Sequence, residues 1–161
     1  MTIMAFLLLA CSCQSKKEPI QQLQDQLSND SIALIRLQEK YLLHMQSDFM
    51  WCDSMLQYIP NEQVNEHFET LNLTQAYLNQ FNEMLPIMQH DISYTRRQLV
   101  NLKNDIDTHF INDSLANSYL NDEIAVADTI HYRVLYFEDR LSQQDKALKA
   151  TKKSIRKAAE Q

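Results

Sequence analysis

Glycine is missing altogether from this chain of 161 residues, where average usage of about 7% would supply about eleven. Without it the easy route to positive φ is closed. Type I′, II and II′ turns, Schellman caps, phosphate-cradling loops and nucleophile elbows all lean on that route. Hairpin-built sheets and loop-built active sites are therefore not expected, whereas long helices with minimal connections are. Cysteine is scarce too: Cys11, Cys13 and Cys52 are too few and too badly spaced for a disulfide framework or a zinc site. No Glu-x-x-His pair occurs, which removes the di-iron bundle pattern, and no Cys-x-x-Cys-His occurs for covalent haem. Basic charge is in deficit. A net charge of -6 argues against a general nucleic-acid binder, whose electrostatic footprint is basic.

What is present is a heptad repeat. Val64, Leu71, Leu78, Leu85, Ile92, Leu99 and Ile106 stand seven residues apart, and His67, Thr74, Phe81, Met88, Thr95, Leu102 and His109 interleave at the 3/4 spacing of a coiled-coil seam. The spacing predicts one helix over about 61–110, about 70 Å long at about 1.5 Å per residue. Pro86 lies inside it, but the heptad phase passes unbroken from Leu85 to Ile92, so a kink is expected there and not a reversal.

The chain opens Met-Thr-Ile-Met-Ala-Phe-Leu-Leu-Leu-Ala-Cys-Ser-Cys, an apolar run too short to span a bilayer that ends in small residues at a cysteine. With Leu8, Leu9, Ala10 and Cys11 in the places of a lipobox, this start resembles a bacterial lipoprotein signal. Leu9 stands where a smaller residue is more usual, and no Lys or Arg precedes the apolar run. The resemblance covers only this first dozen residues. It implies removal of residues 1–10 and acylation of Cys11, which would hold the protein to a lipid membrane. Ser12 after the cysteine implies the outer membrane. Gln14 to Glu18 lacks the acidic cluster that marks surface export in some Bacteroidota lipoproteins, so a periplasm-facing protein is expected.

Residues 11–30 read as the lipidated cysteine and a polar tether, with Ile20, Leu23 and Leu27 as a thin apolar stripe. Asp30 suits the N-cap of a first helix over about 31–58. There Ile35, Leu42, Met45, Phe49, Cys52, Leu56 and Ile59 mark one stripe, and Leu34, Leu37, Tyr41, Trp51 and Met55 lie beside it, a broad apolar face. Pro60 ends that helix. Asn112, Asp113 and Ser114 repeat the capping chemistry of Asn29 to Ser31 and open a third helix over about 113–159. It carries Leu120, Ala127, Val134, Leu141, Leu148 and Ile155 at sevens, while Glu123, Gln144 and Thr151 interrupt its second row.

Short connections force neighbouring helices to be antiparallel. The expected fold is all-α, an elongated up-down-up three-helix coiled-coil bundle over 31–161 that resembles a spectrin-type repeat in shape alone. Charge fits this register. Lys146, Lys149, Lys152, Lys153, Arg156 and Lys157 would meet the stretch 48–69, which holds five acids (Asp48, Asp53, Glu62, Glu66, Glu69) and no Lys or Arg. That basic run is the candidate interaction surface. It neutralises the acidic end, binds an acidic partner or envelope polymer, or meets a membrane surface.

Nothing in the sequence assembles a catalytic or metal site. Cys52 falls on an apolar stripe, where a buried inert thiol is usual. Histidines 67 and 109 lie far apart in the seam, and Asp128 with His131 is the nearest imitation of a metal motif. No cofactor is expected. The functional expectation is a membrane-anchored lipoprotein that binds an envelope protein or acts as a spacer. A chaperone with an apolar groove between the second and third helices is the first alternative, and a self-assembling homo-oligomer the second.

Overall fold

In the computed structural model the backbone is described for residues 4–59 and 61–159, and side chains for 16–59, 64, 65 and 67–159. The fold is all-α, a bundle of three helices. The first is composite: α1 (Met4–Leu37), a π-helical turn (Gln38–Leu42), α2 (Leu43–Met55) and a closing 3₁₀ turn (Leu56–Tyr58). The second is α3 (Asn61–Asp107), and the third is α4 (Asp113–Ala159).

The chain divides into two compact units. The first comprises Met1–Ile32 and Met88–Arg133. Here Ile20, Leu23 and Leu27 of α1 are buried with Ile92, Leu99 and Leu102 of α3 and Leu120, Ala127 and Ile130 of α4. Polar contacts fix the direction of the helices. Lys17 pairs with Asp107 at 2.8 Å and Arg96 donates to Ser28, so α1 runs against α3. Lys16 pairs with Asp113 and His131 lies against Asp30, so α1 runs with α4.

Ala33–Ile87 and Val134–Gln161 form the second unit. Its core joins Leu34, Tyr41, Met45 and Cys52 to Leu71, Phe81 and Leu85 and to Val134, Phe137, Leu141 and Leu148. Phe81 and Phe137 meet with ring centroids 5.2 Å apart. One polar layer crosses this core, where Thr74 Oγ1 donates to Gln144 Oε1 at 3.2 Å. Each group satisfies the other inside an apolar surrounding, where an unpaired one would be costly.

The heptad seam of α3 is buried from His67 to Ile106, and the helix continues through Pro86. Four expectations are corrected. The stretch expected as a polar tether belongs to α1, which begins well before residue 31, and its stripe is core. Asp30 is no N-cap: it sits mid-helix, 3% exposed, because His131 supplies a partner across the bundle. The two stripes of the first helix are one seam with a change of phase. Leu34, Leu37 and Tyr41 carry it up to the π turn, Met45, Cys52 and Ile59 carry it afterwards, and Ile35 is half-exposed. The π turn absorbs one extra residue, so 20, 27, 34 and 41 run at sevens up to a position within it, and 45, 52 and 59 run at sevens after it.

The fourth correction is the end of α3. The helix stops at Asp107, and His109 leaves the seam to adopt φ 54°. Phe110 N–H donates to Asp105 O at 2.9 Å and His109 N–H to Ile106 O at 3.2 Å. That is the Schellman bonding pattern, with histidine where glycine is usual. The cap of α4 is Asn112, whose Oδ1 accepts from Leu115 N–H at 2.9 Å. At the other connection, Ile59 is extended at φ -108° and ψ 155°, as a residue before proline should be. Pro60 itself lies outside the described residues.

Candidate functional site

The basic run at the end of α4 divides into two sets. Lys152 pairs with Asp48 and lies 5.4 Å from the Trp51 ring centroid. Arg156 lies over the same ring at 5.2 Å. These two cations and Trp51 fasten α4 to α2. Lys149 pairs with Asp145 one turn earlier at 2.7 Å, an exposed contact that adds little. Lys146, Lys153 and Lys157 are exposed. Their spacing of seven and four puts them on one stripe, opposite the buried Leu148 and Ile155.

The candidates for chemistry are dispersed. Cys52 is a fully buried free thiol. Burial pushes it up to about 11, with the Asp48 carboxylate adding to the effect, so it stays protonated and inert at neutral pH. His67 is buried, and its Nε2 lies 3.4 Å from Ser154 Oγ. His90 stacks on Tyr94 with ring centroids 6.3 Å apart. His131 Nδ1–H donates to Asp30 Oδ1 at 2.8 Å, while Asp30 Oδ2 is buried without a partner. Asp128 takes no part in that pair. Among the described residues no three His, Cys, Asp or Glu side chains gather closely enough to hold a metal ion. The side chain of Cys11 lies outside the described residues.

Two residues of the interrupted row on α4 are packed. Gln144 and Thr151 are buried. Glu123 lines a cleft of about 200 Å³ with Leu102, Asp105, Tyr119 and Asp122. Desolvation, helped by the Asp122 charge, raises its carboxyl above the ordinary value.

An open surface of mixed apolar and polar side chains adjoins the π turn, between the first helix and α3 within the second unit. Two clefts of about 250 and 390 Å³ share Leu42, Gln46 and Asn82. The first reaches Phe49, Met50, Gln75 and Leu78; the second reaches Ile35, Gln38, Glu39 and Leu43. Leu43 is 71% exposed, Met50 64% and Ile35 48%. The change of seam phase accounts for this surface, because after it Phe49 and Leu56 occupy seam positions yet are only half-buried. The sequence shows the apolar residues but not their exposure. The signal was the 4/4 step from Leu37 to Tyr41 to Met45, one residue longer than a heptad allows.

No family model matches this chain, and neither a curated protein nor a solved structure is detectably similar to it.

Proposed function

We propose that this chain is a lipid-anchored helical protein of the cell envelope, facing the periplasm, that acts as an adaptor by holding a protein partner and carries out no chemistry. The half-exposed apolar flank beside the π turn carries the reading. A helix gives up seam packing there and leaves Leu43 and Met50 mostly in solvent, as recognition surfaces do. The lipobox-like run ending at Cys11 supports the anchor. The only residues between Cys11 and Lys16, the first with a described side chain, are Ser12, Cys13, Gln14 and Ser15. Five steps of chain span at most about 17 Å even when extended, so acylation at Cys11 holds the body close to the membrane instead of on a long tether.

Membrane fractionation with cross-linking tests this. The lipidated chain should sediment with membranes and capture one stoichiometric envelope protein, and Cys11→Ala should release it. Retention of Cys11→Ala in the membrane fraction would refute the anchor. Capture of nothing but unfolded envelope proteins, or only of further copies of the chain, would refute the adaptor.

A further inference from the structure

We infer that the connection between α3 and α4 is a membrane-docking tip: with Cys11 acylated, Phe110 and Ile111 seat in the interface of the lipid bilayer that holds the acyl chains; this rests on the anchor reading above. Phe110 is 81% exposed, the most exposed large apolar side chain among the described residues. The way α3 ends accounts for it. His109 is at positive φ, and the N–H groups of His109 and Phe110 bond back to Ile106 and Asp105. Phe110 therefore takes the place in a Schellman cap from which an apolar side chain ordinarily packs back onto the last turns of its helix. Here the residues it would meet are Asn104 and Asp105, so the ring stays in solvent. Ile111 beside it is half-buried, and Leu115 in the first turn of α4 is 39% exposed. They extend the apolar surface around the tip.

The level of the tip and its charge both point to lipid. The backbone of α1 is helical through Cys11, and its register against α3 is set by Lys17 with Asp107 and by Ser28 with Arg96. That register puts Gln14 level with Phe110, and Cys11 about 5 Å further along the axis at about 1.5 Å per residue. Acyl chains on Cys11 enter the bilayer there, so the bilayer surface comes within one helical turn of the tip. Apart from His109, residues 108–112 carry no ionisable side chain. The flanking carboxylates of Asp107 and Asp113 pair with Lys17 and Lys16. Glu18, Lys103 and Asp105 stand about 6 Å or more behind the level of Phe110 in the same register. A bilayer interface accepts apolar side chains and rejects uncompensated charge, and this tip offers the first with its acids already paired.

The test uses the full lipidated chain in vesicles of zwitterionic lipid, with and without brominated acyl chains, after mass spectrometry has read the acyl group on Cys11. The reporter is Phe110→Trp, with the wild-type chain supplying the Trp51 background. Brominated lipid should quench it severalfold more strongly than Tyr132→Trp, a comparably open position (71% exposed) of the same unit about 28 Å along α4 from Asp113. Leu115→Trp should be quenched as well. Adding Phe110→Asp to it should reduce that quenching severalfold, because a charged tip lifts away while the acyl chains keep the body near. Phe110 is mostly exposed, so circular dichroism should show the same helix content in every variant. Equal quenching at positions 110 and 132, or no effect of Phe110→Asp on the Leu115→Trp reporter, in a chain that is acylated and sediments with the vesicles, overturns the tip while the anchor stands. Burial of the position 110 reporter in native membranes but not in vesicles would mean a protein at the tip, and overturns lipid as its occupant. An unacylated Cys11 refutes the anchor and takes the docking tip with it.

Discussion

At His109, φ 54° forces an L-residue into a conformation that costs roughly 1–2 kcal/mol, a cost glycine escapes. The lack of glycine is therefore felt at one connection, where a histidine does a glycine's job. His109→Gly should raise stability by up to about 1 kcal/mol, since relief of the left-handed penalty is partly offset by greater freedom of the unfolded chain. His109→Val should lower it by about 1 kcal/mol or more, because a branched Cβ crowds that region further. Urea unfolding of both variants measures this, and a His109→Gly chain no more stable than the parent would contradict the strain argument. The sequence places His109 in the seam, since the heptad runs straight through it. Nothing in a repeat says where a helix stops once glycine, the usual stop signal, is absent. Asp30 misleads for a related reason. Asn-Asp-Ser is a cap at Asn112 but lies mid-helix at Asn29 to Ser31, and the difference is His131, about a hundred residues away. Glu123 permits a pH argument. Its carboxyl is raised by desolvation, so between the ordinary value and the raised one the folded state keeps a proton that the unfolded chain releases. Stability therefore falls as pH rises through that window. Glu123→Gln should melt higher than the parent at pH 7 and show less of this fall. Identical melting curves would remove the burial explanation. Asp107, lowered by its bond with Lys17, has the opposite slope, and comparing each variant with its parent separates the two.

Helices α3 and α4 were legible because their seams hold an unbroken period of seven, over 64–106 and 120–155. The first helix was not, because its period changes. Lys16 and Asp30 also occupy seam positions, and each finds a partner only far along the chain. A polar residue on a seam reads as a break until its partner is known. Gln144 shows the same ambiguity. In the sequence it interrupts a row, whereas in the bundle it accepts from Thr74 and the row stays closed. Thr74→Val should therefore cost about 1–3 kcal/mol, by leaving the Gln144 carbonyl buried and unpaired. Adding Gln144→Leu should restore most of the loss, since replacing both partners removes the unpaired group. A double-mutant cycle by chemical denaturation reads the coupling directly. Additive single effects would mean that the two side chains do not depend on each other.

For the molecule as a whole, the point that matters most is where the folded body begins. A tether over 14–30 and a buried helix over the same residues make opposite demands on a truncated chain. Ile20, Leu23 and Leu27 are 1%, 7% and 0% exposed, and burying such side chains contributes about 1.5–3 kcal/mol each. Together that is about 5–9 kcal/mol, comparable with the whole stability of an ordinary domain, about 5–15 kcal/mol. Removing residues 1–30 also takes away Lys16 and Lys17, the partners of Asp113 and Asp107, and exposes the apolar residues of α3 and α4 in the first unit. A chain beginning at Ser31 should therefore lose the cooperative unfolding of that unit and bind a hydrophobic dye, while one beginning at Lys16 should keep a sharp transition. Circular dichroism melts of the two truncations, side by side, decide the matter. A chain from Ser31 that melts like the longer one would restore the tether. Failure of the Ser31 chain alone would bring the folded body to within five residues of Cys11, so that the acyl anchor proposed above would hold the first unit against the membrane.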